Sequence, residues 1–114
     1  MSNVSKWQPT TDRMLQRRMG KTGEELGELS AVVCRIQIQG IDEIDPSSGK
    51  TNRMRLEDEI ADVQAQLDET IARLGLNVEA IEKRRQVKRG YMQEWESMYL
   101  DAAAPAGIVK PGED

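Results

Sequence analysis

Histidine is missing from all 114 residues, and cysteine occurs once, at Cys34. The first absence excludes His-based zinc sites and Ser-His or Cys-His nucleophile pairs. The second excludes an internal disulfide and cysteine-rich zinc sites. Phenylalanine is also absent, and the aromatic complement is two Trp and two Tyr. The core must therefore be filled by aliphatic side chains and by some of the six Met, which pack as adaptable gap-fillers. No apolar run reaches membrane-spanning length, and the N-terminus has no leader-like hydrophobic stretch, so a soluble, cytoplasmic protein without a membrane partner is expected. A net charge of −4 gives no basic signature, so nucleic acid is not an expected partner.

What the chain does have is helical periodicity. At this length a single domain is expected over residues 1–100, followed by a loose tail over 101–114 in which Ile108 and Val109 are the only docking candidates. Residues 1–11 read as an irregular lead-in, and Thr10 or Thr11 is positioned to cap a helix starting near Asp12. Leu26, Leu29, Val32, Val33 and Ile36 then recur at helical spacing. Gly20 and Gly23 predict a break upstream, separating a short first helix from a longer second one. Residues 40–52 form a loop by composition, with Pro46, Gly49 and two serines. The next helix carries Leu56, Ile60, Val63, Leu67, Ile71 and Leu74 and ends at Gly75. Asn77 can cap a final helix ending near Leu100, which Gly90 is expected to interrupt. Strand alternation is absent throughout. The expected fold is all-α, with antiparallel neighbours.

Two acidic couples stand out on these helices. Glu25-Leu-Gly-Glu28 lies in one helix and Glu59-Ile-Ala-Asp62 in the next, each with i, i+3 spacing that projects both carboxylates from one side. At about 100° per residue, Glu25 falls inside its apolar stripe and Glu28 at the edge. Glu59 borders the stripe of the following helix, with Asp62 one step further out. Unpaired carboxylates beside a core are costly and persist only when paired or coordinated. Salt bridges to Lys21 or Arg55 are the plain explanation for any one such couple. Two matched couples bordering apolar stripes point instead to an oxygen-ligand cage for a hard divalent cation, Mg²⁺ foremost with Mn²⁺ as a substitute. Carboxylate-held magnesium usually means phosphate chemistry.

Gly23-Glu-Glu-Leu-Gly-Glu-Leu29 followed by Leu56-Glu-Asp-Glu-Ile-Ala-Asp-Val63 resembles the signature of the MazG-like, all-α nucleoside triphosphate pyrophosphohydrolases, ExxE then ExxD across a variable spacer. The resemblance runs through Ile71-Ala-Arg-Leu-Gly-Leu-Asn77 to Lys83 and covers roughly residues 12 to 90. It implies an antiparallel bundle whose four-helix core is completed by forming a homodimer or homotetramer. It also implies Mg²⁺-dependent hydrolysis of a nucleoside triphosphate between the α and β phosphates, giving the monophosphate and pyrophosphate. Glu25, Glu28, Glu59 and Asp62 are then the metal ligands, and Glu25 or Glu28 takes the proton of the attacking water.

Further residues are candidates for holding the substrate. Lys83, Arg84, Arg85, Lys88 and Arg89 form a basic run on the last helix, readable as a phosphate clamp or as a solvated basic face; Lys83 matches the family's lysine. Lys88 and Val87 stand where the family often has an asparagine, which leaves the sugar and base contacts unassigned. Lys21 neighbours the first couple. Trp7 either stacks on a base or staples the N-terminal segment to the core, and the staple is the commoner role. Trp95, Met98 and Tyr99 read as core or subunit-interface residues, and Cys34 as inert. The competing functions are dUTPase or phosphoribosyl-ATP variants of the same chemistry and, from a different class, a non-catalytic helical adaptor.

Overall fold

The computed structural model describes residues 3–103, with side chains described through residue 100. Three helices make up the described residues, α1 (Arg13–Gln39), α2 (Asn52–Leu74) and α3 (Val78–Ala103). The all-α class is therefore as expected, and the regular pairing outside helices is a lone antiparallel bridge between Ile44 and Thr51. None of these helices is long and apolar enough to cross a membrane. The chain divides into two compact units, Met1–Leu76 and Asn77–Asp114. The expected loose tail, with Ile108 and Val109, lies outside the described residues beyond 103.

Unit one is an α1–α2 hairpin. Asp12, not a threonine, caps α1: its Oδ1 accepts from the amides of Met14 and Leu15 at 2.9 and 3.2 Å. Thr10 stands one layer behind, its Oγ1 accepting from the Asp12 amide at 3.2 Å. A carboxylate satisfies two orphan amides at once, which a hydroxyl does less well. The predicted break at Gly20 and Gly23 is absent, and α1 runs unbroken for 27 residues. Each glycine costs about 1 kcal/mol in a helix interior, but this segment is tied laterally to α2. Arg18 Nη1 donates to Gln66 Oε1 at 2.8 Å, and the Thr22 and Thr70 hydroxyls meet at 3.0 Å. Thr22 already donates its one proton to the Arg18 carbonyl at 2.7 Å, so Thr70 is the donor of that pair.

These ties belong to a seam. Arg18, Thr22, Glu25, Leu29, Val32 and Ile36 on α1 follow a 4-3-4-3-4 spacing, and so do Asn52, Leu56, Glu59, Val63, Gln66 and Thr70 on α2; all twelve are buried or half-buried. Such spacing keeps one narrow edge of each helix facing its neighbour. Val32 and Val63 are the fully apolar centre, at 1% and 7% exposure. Seven of the twelve seam residues are polar, so the hairpin buries little hydrocarbon for its size.

The connecting loop closes tightly. Asn52, fully buried, donates from Nδ2 to the carbonyl of Gly40, the residue that ends α1, at 2.9 Å. Asp45 is the hub: its amide donates to the Lys50 carbonyl, its carbonyl accepts from Gly49, and its Oδ2 accepts from the Ser48 amide and hydroxyl at 3.0 and 2.7 Å. Gly49 has φ +74, left-handed backbone that favours glycine. Gly75, also left-handed, ends α2 as expected.

Unit two is α3. Asn77 Oδ1 accepts from the Ala80 amide at 2.9 Å, the predicted cap. The helix continues through Gly90 without interruption and reaches Ala103 rather than ending near Leu100. Trp95 and Tyr99 stack at 6.0 Å between ring centroids, yet both stay exposed, as does Met98, so none of the three is core.

Candidate metal centre

Glu25 sits on the α1 seam, and its side chain is carried inward because the stripe that contains it is the stripe that packs. It is 9% exposed. Glu59 occupies the equivalent seam position on α2 and is half-buried, while Asp62, one turn on, is exposed. One carboxylate oxygen from each of Glu25, Glu59 and Asp62 lies within 4.8 Å of the other two. Three of the four predicted acids therefore converge, from helices whose acidic couples are separated by more than thirty residues of chain.

Glu28, the fourth, stands exposed at the rim, outside that mutual distance but within reach of its field. The Glu25 charge, above all, holds the Glu28 carboxyl above its ordinary range, helped by partial burial and by the Glu59 charge. Glu59 is likewise raised, chiefly by burial and then by the charges of Asp62 and Glu25. Like charges brought together in partial shelter from water disfavour the ionised form, and both shifts have that origin.

Compensation among the described residues is thin, although the Arg55 charge partly offsets the rise at Glu59. Lys21 Nζ reaches Glu25 Oε1 at 3.4 Å but is shared with Glu24 at the same distance, and both are fringe contacts rather than tight pairs. The Oε2 atoms of Glu25 and Glu59 are buried without a hydrogen-bond partner. A buried carboxylate oxygen lacking a donor is unfavourable by several kcal/mol, to an order of magnitude. Hard oxygens converging at this spacing, two of them orphaned, match the donor set a magnesium or manganese ion requires. The residues present fit the ion.

The predicted substrate-binding residues divide. Lys21 is beside the acids, as expected. Lys83 and Lys88 are exposed on α3, in the second unit. Within their basic run Arg85 is engaged with Glu82 at 2.9 Å. Trp7 is 88% exposed in the segment before α1, so it does not staple that segment to the core. Sequence reasoning missed Arg17, Arg18 and Arg73, which line a common cavity with Lys21. Spacing is the signal that points to Arg17, because Arg17, Lys21, Glu25 and Glu28 share one flank of α1. Comparison with family models, curated proteins and solved structures finds no match for this chain.

Proposed function

We propose that the hairpin carries the metal centre of a Mg²⁺-dependent nucleoside triphosphate pyrophosphohydrolase. The observation that supports this reading is the convergence of Glu25, Glu59 and Asp62 within 4.8 Å, with two buried oxygens left unpartnered. Those three residues hold the ion, and Glu28 joins them from the rim. When bound, the ion neutralises phosphate charge and lowers the pKa of a coordinated water. Glu28 is the general base. Its raised proton affinity and its exposure suit a group that must take a proton from water and return it to solvent. Water oxygen bonds to the α-phosphorus, the bond from that phosphorus to the α–β bridging oxygen breaks, and pyrophosphate leaves with the electron pair. Lys21, tethered to Glu25, supplies positive charge to the phosphates at the edge of the acids.

The same reading includes a second copy of the chain. Met19, Leu26 and Val33 recur every seven residues on α1, and Ile60, Leu67 and Leu74 do so on α2; all six are 39–46% exposed. Five of the six follow a seam residue by one position, and Leu74 continues the α2 row beyond the seam; in antiparallel helices that step turns both rows to the same side of the hairpin. Glu28 and Asp62, three residues beyond their seam partners, turn the other way. One side of the hairpin is thus acidic and the other is a two-row apolar face. Its rows match each other in spacing, which suits an isologous, four-helix contact with an identical hairpin. A hairpin whose seam is mostly polar gains from such a contact the apolar burial it lacks alone.

Pyrophosphate release from a panel of ribo- and deoxyribonucleoside triphosphates with Mg²⁺, beside Glu59→Gln, tests the activity. Monophosphate and pyrophosphate that vanish in the variant and on chelation support it. Orthophosphate as product, or no turnover from folded and oligomeric protein, overturns it, and the latter favours an adaptor. Sedimentation tests the assembly: Leu26→Glu with Leu67→Glu is expected to give monomers, and a wild-type monomer at every concentration overturns the contact.

A further inference from the structure

Four basic residues meet at the open end of the hairpin. A cavity of about 580 Å³ lies there, between the first turns of α1 and the last turn of α2. Its charged lining is Arg17, Arg18, Lys21 and Arg73 against the single acid Asp12. That is an unusual excess in a chain of net charge −4. Asp12 is already committed to capping α1. Lys21 is shared between Glu24 and Glu25, and Arg73 meets Glu69 at 3.0 Å. Arg18, however, is engaged only with the neutral amide of Gln66, and Arg17 enters no ion pair among the described residues. Among the described residues, these two guanidinium charges have no counter-charge. The Gln66 hydrogen bond also holds Arg18 half-buried at the cavity wall, so one of the two is oriented before any ligand arrives.

The position of the cavity relative to the acids is set by the helices. Glu28, Glu25, Lys21 and Arg17 follow one another along one flank of α1, and Asp62, Glu69 and Arg73 do so on α2. Along this flank, from the loop towards the open end, the charge changes from the acidic cluster through Lys21 to the arginines. Lys21 is about 6 Å from Glu25 along the axis, and Arg18 and Arg17 are about 10–12 Å away, from a rise of 1.5 Å per residue. Flexible arginine side chains can span part of that distance back towards the cluster. A polyphosphate anchored at the acids and laid along the flank brings its later phosphates to Lys21 and then to the guanidinium groups, which bind phosphate oxygens in pairs.

We propose that this basic cavity is the subsite for the distal phosphates of the substrate, and that it retains pyrophosphate after cleavage. The inference rests on the pyrophosphohydrolase reading for its role in turnover, but the anion binding itself does not need the metal. Calorimetric titration of the full chain with pyrophosphate, in the presence of chelator, is therefore the direct test. Pyrophosphate is expected to bind in the absence of divalent ions, at least about tenfold more tightly than orthophosphate, and more weakly as salt rises. Arg17→Gln, which loses no ion pair among the described residues, should weaken binding by about tenfold or more, the scale of one charge-assisted contact. Arg73→Gln should weaken it by a smaller factor, and Glu59→Gln should leave it intact. With turnover present, pyrophosphate should inhibit competitively in wild type and poorly in Arg17→Gln. No metal-free binding, binding indifferent to Arg17→Gln and Arg73→Gln, or orthophosphate bound as tightly as pyrophosphate would each overturn the assignment. Pyrophosphate binding of the expected pattern without any turnover would retain the anion site and discard the hydrolase, so the two failures are separable.

Discussion

The hairpin contains two sets of carboxylates that its structure treats in opposite ways. In and beside the loop, three aspartates each have a donor. Asp42 meets Arg53 Nε at 3.0 Å, Asp58 meets Lys50 at 2.7 Å, and Asp45 accepts twice from Ser48 with Arg55 at 4.0 Å. The Arg53 hydrogen bond holds the Asp42 carboxyl below its usual range, and the Ser48 hydroxyl does the same for Asp45. In the helix pair the acids face one another, Glu28 and Glu59 are raised, and two oxygens have no donor. The loop acids stabilise the fold they belong to. The helix acids, brought together without a matching counter-charge, oppose it.

The sharpest way to break that contrast is to neutralise the cluster without changing its shape. Glu59→Gln should reduce turnover by about 100-fold or more, since ligand loss exceeds the 10–100-fold seen for residues that merely support a ligand. The same variant should melt higher than the wild type when both are free of metal, because one of the mutually repelling charges is gone. A variant that loses activity and also melts lower would mean that Glu59 is structural.

Next in size is the ion itself. Magnesium at 100 times its dissociation constant should stabilise the folded chain by about 2.7 kcal/mol, read as a rise in Tm. Glu59→Gln should abolish most of the rise, and Asp45→Asn should leave it unchanged. A rise that persists in Glu59→Gln would place the ion elsewhere.

Asn52→Ala is expected to cost about 1–3 kcal/mol, the penalty for leaving a buried partner unsatisfied, here the Gly40 carbonyl at the end of α1. Denaturant unfolding measures it, and a loss within 0.5 kcal/mol, the usual scale of a surface change, would remove the clasp from the account. Asn52 also shows where sequence reading stopped. In composition it closes a polar loop and looks like one more turn residue; its burial depends on α1 ending directly beneath it. The Thr22–Thr70 and Arg18–Gln66 ties are similar, since nothing local in threonine or glutamine announces a partner 48 residues away. Those unseen ties are why the break expected at Gly20 and Gly23 does not occur. By contrast, the phase of Glu25 and Glu59 was legible, because a carboxylate's angle from an apolar stripe follows from counting residues. The basic cavity was half legible: Arg17 and Lys21 are one turn apart, whereas Arg73 joins them only through the antiparallel return of α2.

The smallest effect, and the one that compares the two sets directly, is the pH dependence of stability in metal-free protein. Glu28 and Glu59 have folded-state pKa values above the ordinary 4.5. The folded state then binds more protons than the unfolded state between the unfolded and folded values, so stability falls as pH rises through that window. Asp42 and Asp45 lie below the ordinary 3.8, so the stability they contribute is present above 3.8 and is lost as pH falls through their folded values. The two effects have opposite signs and adjacent windows, and together they place the stability maximum of the metal-free chain on the acidic side of neutrality. Glu59→Gln should flatten the limb above the maximum, and Asp45→Asn the limb below it. Magnesium should act on the upper limb alone, because protons compete with the ion for the helix acids and not for the loop. Unfolding midpoints across pH, with and without magnesium, check this; a profile that magnesium shifts uniformly on both limbs would mean that the loop and cluster do not differ in the way their geometry requires.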